Sequence, residues 1–519
     1  MKEESITRKD NLQPWTHGKE SDIWVSEAIW GHRLKEQPLH ALLTEFLNMA
    51  DGMLRQGKFL HATEPNQDVQ YRARKAKELR IILFHNPTLE QVAEKNNGSN
   101  DDSWFQWLKN IQESSKSSHP SDYSYLRDRF PNFRDFVNRV HLVRRSVMNP
   151  GNNKKWSHQL LFPMGPSALY VPTDDKFGRD RTLFTRSGEL VYLMLSRADE
   201  SLREELATHL SKNLKPGSQK DNITLGLLPG GQGQFDDANG GTYLPYRSHP
   251  AYSRLAEDLL NLAKLELPEN DVFDVMKHLI AFNLYLYALE TSNHWCGTSS
   301  PAIIVCEVMN TKSDVVRQYS GVCKRDNEDK ALKAVENYCE QLIANNQGLC
   351  ETLADEQQTE AVKVASLDEF LSSELSLKKS INKETVEEYK KEVIRMAKVA
   401  CKRNVIPALA SLGRIAGLTT KQGTNRLRYA PSDSLIRALV LANVPERVEE
   451  VKLLEKLFAR YRVVISDTHA SRVLPEQFVE SSHYEKNKER FTRRLMALGL
   501  ATRMSDACTY VKNPYNDAI

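Results

Sequence analysis

Through most of the chain, hydrophobic positions recur at the three-and-four spacing of helices; in the last seventy residues that spacing breaks into short alternating runs. From Pro445 the pattern predicts a helix over Glu446 to Tyr461, a β-branched run Val463-Val464-Ile465, and a second amphipathic helix from about Phe478 to Leu498. Gly499 stops that helix, and two short strands follow, Ala501 to Met504 and Thr509 to Val511, turned at Ser505 and Asp506. Helix, helix and two-stranded wing is the order of a winged-helix domain. On the second helix Phe491, Leu495 and Leu498 share the core-facing stripe, while Lys486, Lys488, Arg490, Arg493 and Arg494 cluster as a basic face. A basic helix followed by a hairpin can enter the major groove while the wing, with Arg503 and Lys512, meets the backbone. The same domain type also docks proteins, with its charges merely solvated.

Upstream, Ile23 to about Leu83 reads as helical, with Trp24, Ala28, Leu42, Phe46 and Met49 at helical spacing. Polar breaks at 96–102 and 114–121 flank an aromatic helix, Trp104 to Ile111. From Tyr123 to Lys155 arginines interleave with Tyr125, Phe130, Phe133 and Phe136; Arg134, Arg139, Arg144 and Arg145 stand out as a possible second basic surface. The alternative is a solvated helix face whose aromatic side packs inward. Between Leu160 and Leu195 short apolar runs alternate with prolines, which predicts a few strands or extended loops before a helix opening at Ser187. Helices resume over Tyr252 to Leu265 and Asp271 to Glu290, the latter capped by Asn270 or Asp271. The charged stretch 314–380 reads as a connecting helical layer, and Val386, Tyr389, Val393, Met396 and Ala400 form one apolar stripe on a charged rod. The expected organisation is mostly α and multidomain: a helical unit at 1–155, a mixed unit at 156–312, a connecting unit at 313–444 and an α+β winged helix at 445–519.

Composition narrows the class. A length of 519 residues suggests several domains, and 40% hydrophobic with 27% charged residues is globular. The net charge of +3 is too small to argue for nucleic acid by itself, so only local clustering can. Seven scattered cysteines, with no Cys-x-x-Cys pair, fit a reducing compartment. The charged start, without an apolar run, predicts no secretory signal; the most apolar helix, Val272 to Leu289, carries Asp274, Lys277 and His278 and reads as a core helix, not a membrane span. A cytoplasmic location is expected.

Catalytic motifs are hard to find. The glycine-rich stretch Pro229 to Gly241 lacks the Gly-Lys-Ser/Thr that a phosphate loop needs, so it reads as a loop. His294, Cys296 and Cys306 come nearest to a zinc site, yet a fourth ligand would have to come from afar; no metal and no cofactor are expected. Glu27 and His32 lie five residues apart with Gly31 between, off a common helix face, and suit a helix end. Asp174 and Asp175 beside Lys176 sit in a turn-like setting. No catalytic residue is assigned.

Three strings carry a resemblance: Glu27-Ala28-Ile29-Trp30-Gly31-His32-Arg33-Leu34 followed by Glu45-Phe46-Leu47; Tyr243-Leu244-Pro245-Tyr246-Arg247-Ser248-His249-Pro250; and the terminal module closing in Asn513-Pro514. Together they resemble uncharacterised proteins encoded in prokaryotic anti-phage defence clusters, of the methylation- or phosphorothioation-linked kind, beside ATPase and nuclease genes. The resemblance implies a non-catalytic, complex-forming role and transfers no catalytic residue. The resulting expectation is a DNA-engaging or scaffolding subunit of a defence complex, with double-stranded DNA and proteins such as an ATPase or nuclease as partners. A nuclease or other hydrolase with a site assembled from distant residues, and a winged-helix transcriptional regulator, are the alternatives.

Overall fold

The computed structural model describes residues 6–8, 23–31, 34–145, 165–169, 187–505 and 508–515, excluding 66, 76, 85, 87, 96–98, 115–121, 216, 230–233, 236–242, 266, 298–301, 309–314, 379–380 and 423–425. The chain is mostly helical. Strand β1 (Thr7–Arg8) precedes α1 (Ser26–Trp30), α2 (Leu39–Arg55), β2 (Arg74–Lys75), α3 (Lys77–Phe84), α4 (Leu89–Lys95), α5 (Asn100–Ser114), α6 (Tyr125–Arg129) and α7 (Phe133–Arg145). Then come α8 (Ser187–Ser196), α9 (Glu200–Asn213), α10 (Gln219–Leu225), β3 (Gln234–Phe235), β4 (Tyr246–Ser248), α11 (Pro250–Ala263), α12 (Glu269–Trp295) and β5 (Ile304–Val305). The C-terminal half runs α13 (Val315–Ala344), α14 (Gln347–Ala354), α15 (Glu360–Glu374), α16 (Val386–Ile415), β6 (Thr419–Thr420), β7 (Arg428–Tyr429), α17 (Asp433–Asn443) and β8 (Val448–Glu449). It closes with α18 (Glu450–Tyr461), β9 (Val463–Val464), α19 (Asp467–Val473), α20 (Ser481–Ala497) and the hairpin β10 (Ala501–Ser505) and β11 (Cys508–Val511).

Helix α12 is the hub. It packs against α2, α11, α13, α16 and α17, and its side chains are buried all round from Leu279 to Leu289, while Asp274 near its start is exposed. It is long and apolar enough to cross a membrane, yet 83% of its apolar stretch is covered by the protein itself. It starts at Glu269 behind Pro268, ahead of the caps expected at Asn270 or Asp271. On α16, capped by Thr385, the buried line is Tyr389, Val393, Ala397, Cys401 and Val405; Met396 and Ala400, expected on the stripe, are only half-buried. Strict four-residue steps drift around the helix, and the long contact with α13 follows that drift. A second, smaller core gathers Trp104, Trp107, Phe133 and Phe136 of α5 and α7, and the Trp107 indole donates to Asn86 at 2.9 Å. Of the stretch between Leu160 and Leu195, residues 165–169 form a short 3-10 turn, Pro166–Ala168, and α8 opens at Ser187 as expected; the rest of it, the pair Asp174 and Asp175, His32, and most of the glycine-rich stretch lie outside the described residues.

Two of the three strings that carry the family resemblance meet in the larger core. Gly31 ends α1 at φ +93°, and a Cβ there would lie 2.8 Å from the Tyr243 carbonyl oxygen. Tyr246 and Tyr287 donate to the carbonyls of Ile29 and Trp30 at 2.8 and 3.1 Å, and the Trp30 indole donates to Ala288 of α12 at 3.1 Å. Glu45 accepts the Gly188 amide at 3.0 Å and so caps α8. A Cβ on Gly188 would come within 2.4 Å of α2 backbone atoms, so only glycine permits this approach of the two helices. These strings build a junction.

His249 belongs to the same junction. It caps α11, its Nδ1 accepting the Ala251 amide at 3.1 Å, and it is fully buried among Tyr246, Tyr252 and Tyr287. Burial pushes its imidazole well below the ordinary value, and Arg254 and His294 add to the effect. The unfolded chain therefore binds the proton more readily. The stability that His249 contributes is complete above about pH 6.5, the unfolded value, and is lost as the pH falls toward the folded one, by at most about 1.4 kcal/mol per pH unit. Thermal melts between pH 7 and 5 should show this loss, and His249→Asn, which keeps a capping acceptor, should flatten it; an unchanged slope would assign the acid sensitivity elsewhere.

Candidate nucleic-acid interface

The C-terminal elements form a three-stranded antiparallel sheet in the order β10-β11-β8, with Ala501 facing Val511 and Tyr510 facing Glu449. Helix α20 lies beside it. Tyr484, Asn487, Phe491 and Leu495 fall at three- and four-residue steps and are all buried. Lys486, Arg490 and Arg493 occupy the opposite line and are exposed. The expected first helix starts at α18, later than Glu446, because Val448 and Glu449 pair with β11; the second begins at Ser481, preceded by the unforeseen α19.

These elements are joined to the larger core. Strand β9, the β-branched run, pairs in parallel with β5, Ile304 opposite Val463 and Val305 opposite Val464. The carboxamide of Asn487 then closes the end of that pair: it donates to the carbonyls of Cys306 at 3.0 Å and Ile465 at 2.9 Å and accepts the Val308 amide at 2.7 Å. On the other side of α18, Asp258 of α11 is fully buried between Arg460 at 2.5 Å, the Tyr461 hydroxyl at 2.6 Å and the Asn283 amide at 2.8 Å.

The cations expected to contact nucleic acid are not alike. Arg493 is paired with Glu489 one turn back, at 2.5 Å, and Arg494 with Asp433 of α17, also at 2.5 Å. Lys488 and Arg503 lie close to Glu450, whose carboxyl is pushed up by burial against their opposing pull and a hydrogen bond from Thr492. Lys486 and Arg490 are solvent-exposed on α20, and Arg503 is exposed on the hairpin. Lys512 follows β11 and is half-buried. Between α20 and the sheet runs a groove of about 710 Å³ whose walls carry Glu449, Glu450, Asp467 and Glu485 as well as Lys486, Lys488 and Arg503. Arg493 and Glu489 of α20 line the groove as well, and Glu485 and Glu489 are exposed beside the cations, so the solvent-facing side of α20 is mixed in charge with Arg490 standing outside the groove.

The second basic segment is divided in the same way. Arg144 is committed to Glu90 and to the Leu83 carbonyl, Arg139 stacks over Phe130 at 5.7 Å, and Arg134 and Arg145 are exposed. Its aromatic residues Phe133 and Phe136 pack inward.

One arrangement was not legible beforehand. Ser466 Oγ lies 2.7 Å from His469 Nδ1, and His469 Nε2 lies 3.0 Å from Glu455, which Arg472 also holds at 3.0 Å. The His469 hydrogen bond, with Arg472, keeps the Glu455 carboxyl below its usual range. Serine, imidazole and carboxylate in a chain is the order of a nucleophilic triad. Here, however, Ser466 is only 3% exposed, and the neighbouring groove is lined by Asp467 instead. The chain fastens the start of α19 to α18. The Ser-x-x-His spacing allows that first contact, made side chain to side chain and not to the helix amides, but Glu455, one helix away, carries no sequence signal.

Among the described residues no three His, Cys, Asp or Glu side chains converge in a way that could hold a metal. Cys296 points at the Lys330 carbonyl, 3.3 Å away, whereas Cys306 is buried beside β9, and burial raises both thiols. Against known proteins, the chain matches no family model, no curated protein and no solved structure.

Proposed function

We propose that this protein is a non-catalytic, DNA-engaging subunit, and that its C-terminal elements work as a winged helix. Supporting the reading is the order α17, β8, α18, α20, β10, β11 with β8 against β11, which is that of a winged helix with β9 and α19 inserted. The observation that carries it is the exposed line of Lys486, Arg490 and Arg493 on the helix preceding the hairpin. Because Arg493 and Arg494 have acidic partners, Lys486, Arg490 and Arg503 are the cations most available to phosphates. The resemblance to defence-cluster proteins extends the proposal to a complex with an ATPase or nuclease. The mixed charge of the neighbouring groove favours a second reading, in which the same unit docks a protein.

Phosphate contacts release counterions, so affinity should fall steeply with salt, with a log-log slope near 0.9 per contact on duplex DNA. Lys486→Glu with Arg490→Glu should weaken duplex binding and reduce that slope by about 2, without changing stability. Titrations of a labelled duplex at several salt concentrations read both quantities. Unchanged affinity and slope, or no duplex binding by the unaltered chain, would reject the DNA reading in favour of protein docking.

A further inference from the structure

Strand β1 is only two residues long; Ile6 beside it packs against the larger core, and Arg8 reaches furthest into the body of the protein. Its residues pair antiparallel with β4, Thr7 opposite Ser248 and Arg8 opposite Tyr246, and Thr7 Oγ1 lies 2.6 Å from Ser248 Oγ. The Arg8 guanidinium enters a box of aromatic rings, 5.4 Å from the centre of Trp295 and 5.1 Å from that of Tyr338. It donates to the Ala28 carbonyl and the Tyr338 hydroxyl, each at 3.3 Å. Among the described residues no carboxylate pairs with it; the groups that favour its charge are the rings and hydroxyls of Tyr338, Tyr246 and Tyr243.

The Trp295 side of the box is built without its occupant. Trp295 and Tyr338 meet edge to face at 4.9 Å. The Trp295 indole donates to the Tyr246 hydroxyl at 2.8 Å, that hydroxyl donates to the Ile29 carbonyl at 2.8 Å, and Asn337 fixes the Trp295 carbonyl at 2.9 Å. None of these bonds involves Arg8, so Trp295 holds its place whether or not a guanidinium lies beside it, while Tyr338 is held by burial and spends its hydroxyl on Arg8. An aromatic box takes a desolvated cation by its ring faces, and a planar guanidinium stacks there better than an ammonium. Beside it β4 offers main-chain groups to one more strand, which is the way extended peptides add to a sheet edge.

We propose that the edge of β4 and the Trp295–Tyr338 box form a binding site for an extended peptide bearing an arginine, and that Thr7–Arg8 occupies it as a tethered internal ligand. Fourteen residues, 9–22, separate Arg8 from Ile23. Because strand and site belong to one chain, their encounter is intramolecular and its effective concentration is set by that covalent link, so a weak, exchangeable interaction suffices to keep the site filled. An arginine-bearing strand from another chain then competes with the protein's own. This reading is independent of the DNA proposal.

The test uses the full chain with a protease site inserted among residues 10–20. After cleavage, a labelled synthetic peptide of residues 2–9 should enter the site, raising its anisotropy and changing Trp295 emission. The same peptide carrying Arg8→Ala should bind at least roughly tenfold more weakly, with Arg8→Lys in between. In the uncleaved chain, Arg8→Ala should leave the helical circular dichroism intact yet let the labelled wild-type peptide in, whereas the unaltered chain excludes it. Equal binding of the Ala peptide would overturn the role of the box. Failure of any peptide to enter after cleavage would also overturn the proposal, leaving Arg8 a fixed anchor.

Discussion

Replacing Asp258 by alanine is expected to lower the free energy of unfolding by about 3–5 kcal/mol, the range seen when one member of a buried ion pair is removed. Asp258 is the only carboxylate within 2.5 Å of Arg460 among the described residues, and it also accepts from Tyr461 and Asn283. Its loss leaves Arg460 with Glu257 alone, at 3.0 Å and largely solvated, and a solvated partner compensates a half-buried cation poorly. Arg254 on the same helix already spends its charge on Glu290, which it holds at 2.6 and 3.1 Å. Asp258→Asn, which keeps one acceptor, should cost less than the alanine variant. Urea unfolding monitored by circular dichroism measures the difference. A loss below about 1 kcal/mol would mean that Glu257 and water suffice for Arg460.

Asn487→Leu should be nearly as damaging, by about 2–4 kcal/mol, although the two side chains have similar volumes. Three buried main-chain groups lose their partner at once, the Val308 amide and the carbonyls of Cys306 and Ile465, and each unsatisfied buried group costs about 1–3 kcal/mol before relaxation. Asn487→Asp retains the acceptor but sets a carboxylate against two carbonyls, so it should not rescue. Hydrogen exchange of α20 and β9 locates the damage. If protection there is unchanged while the rest of the protein loses stability, the clamp is not what holds α20 to the core.

Much of the helical framework was legible because burial writes a three-and-four period into a sequence. Helices α8, α11, α12, α18 and α20 stand where that period placed them, within about five residues, and α16 starts at the expected Val386 but runs on to Ile415, well past the stripe read as far as Ala400. The short strands were not legible, since two residues such as Val448–Glu449 or Ile304–Val305 have no period to read. Their partners lie far away in the chain. Nor did the sequence show which arginines are committed. Arg493 and Glu489 could be read as a one-turn pair, but Asp433 opposite Arg494 is a product of packing. Likewise the box around Arg8 unites residues 8, 295 and 338, which no local pattern connects.

The pairing of β5 with β9 also sets a timetable. At a synthesis rate of about 5–20 residues per second, β5 leaves the ribosome roughly 8–30 s before its partner exists. During that interval the Asn487 clamp is missing too, and the buried stretch of α12, Leu279 to Leu289, has only part of its cover. A nascent chain in this condition presents the surface that holdase chaperones recognise. The yield of folded protein should therefore respond to translation speed and chaperone supply more than its final stability alone would suggest.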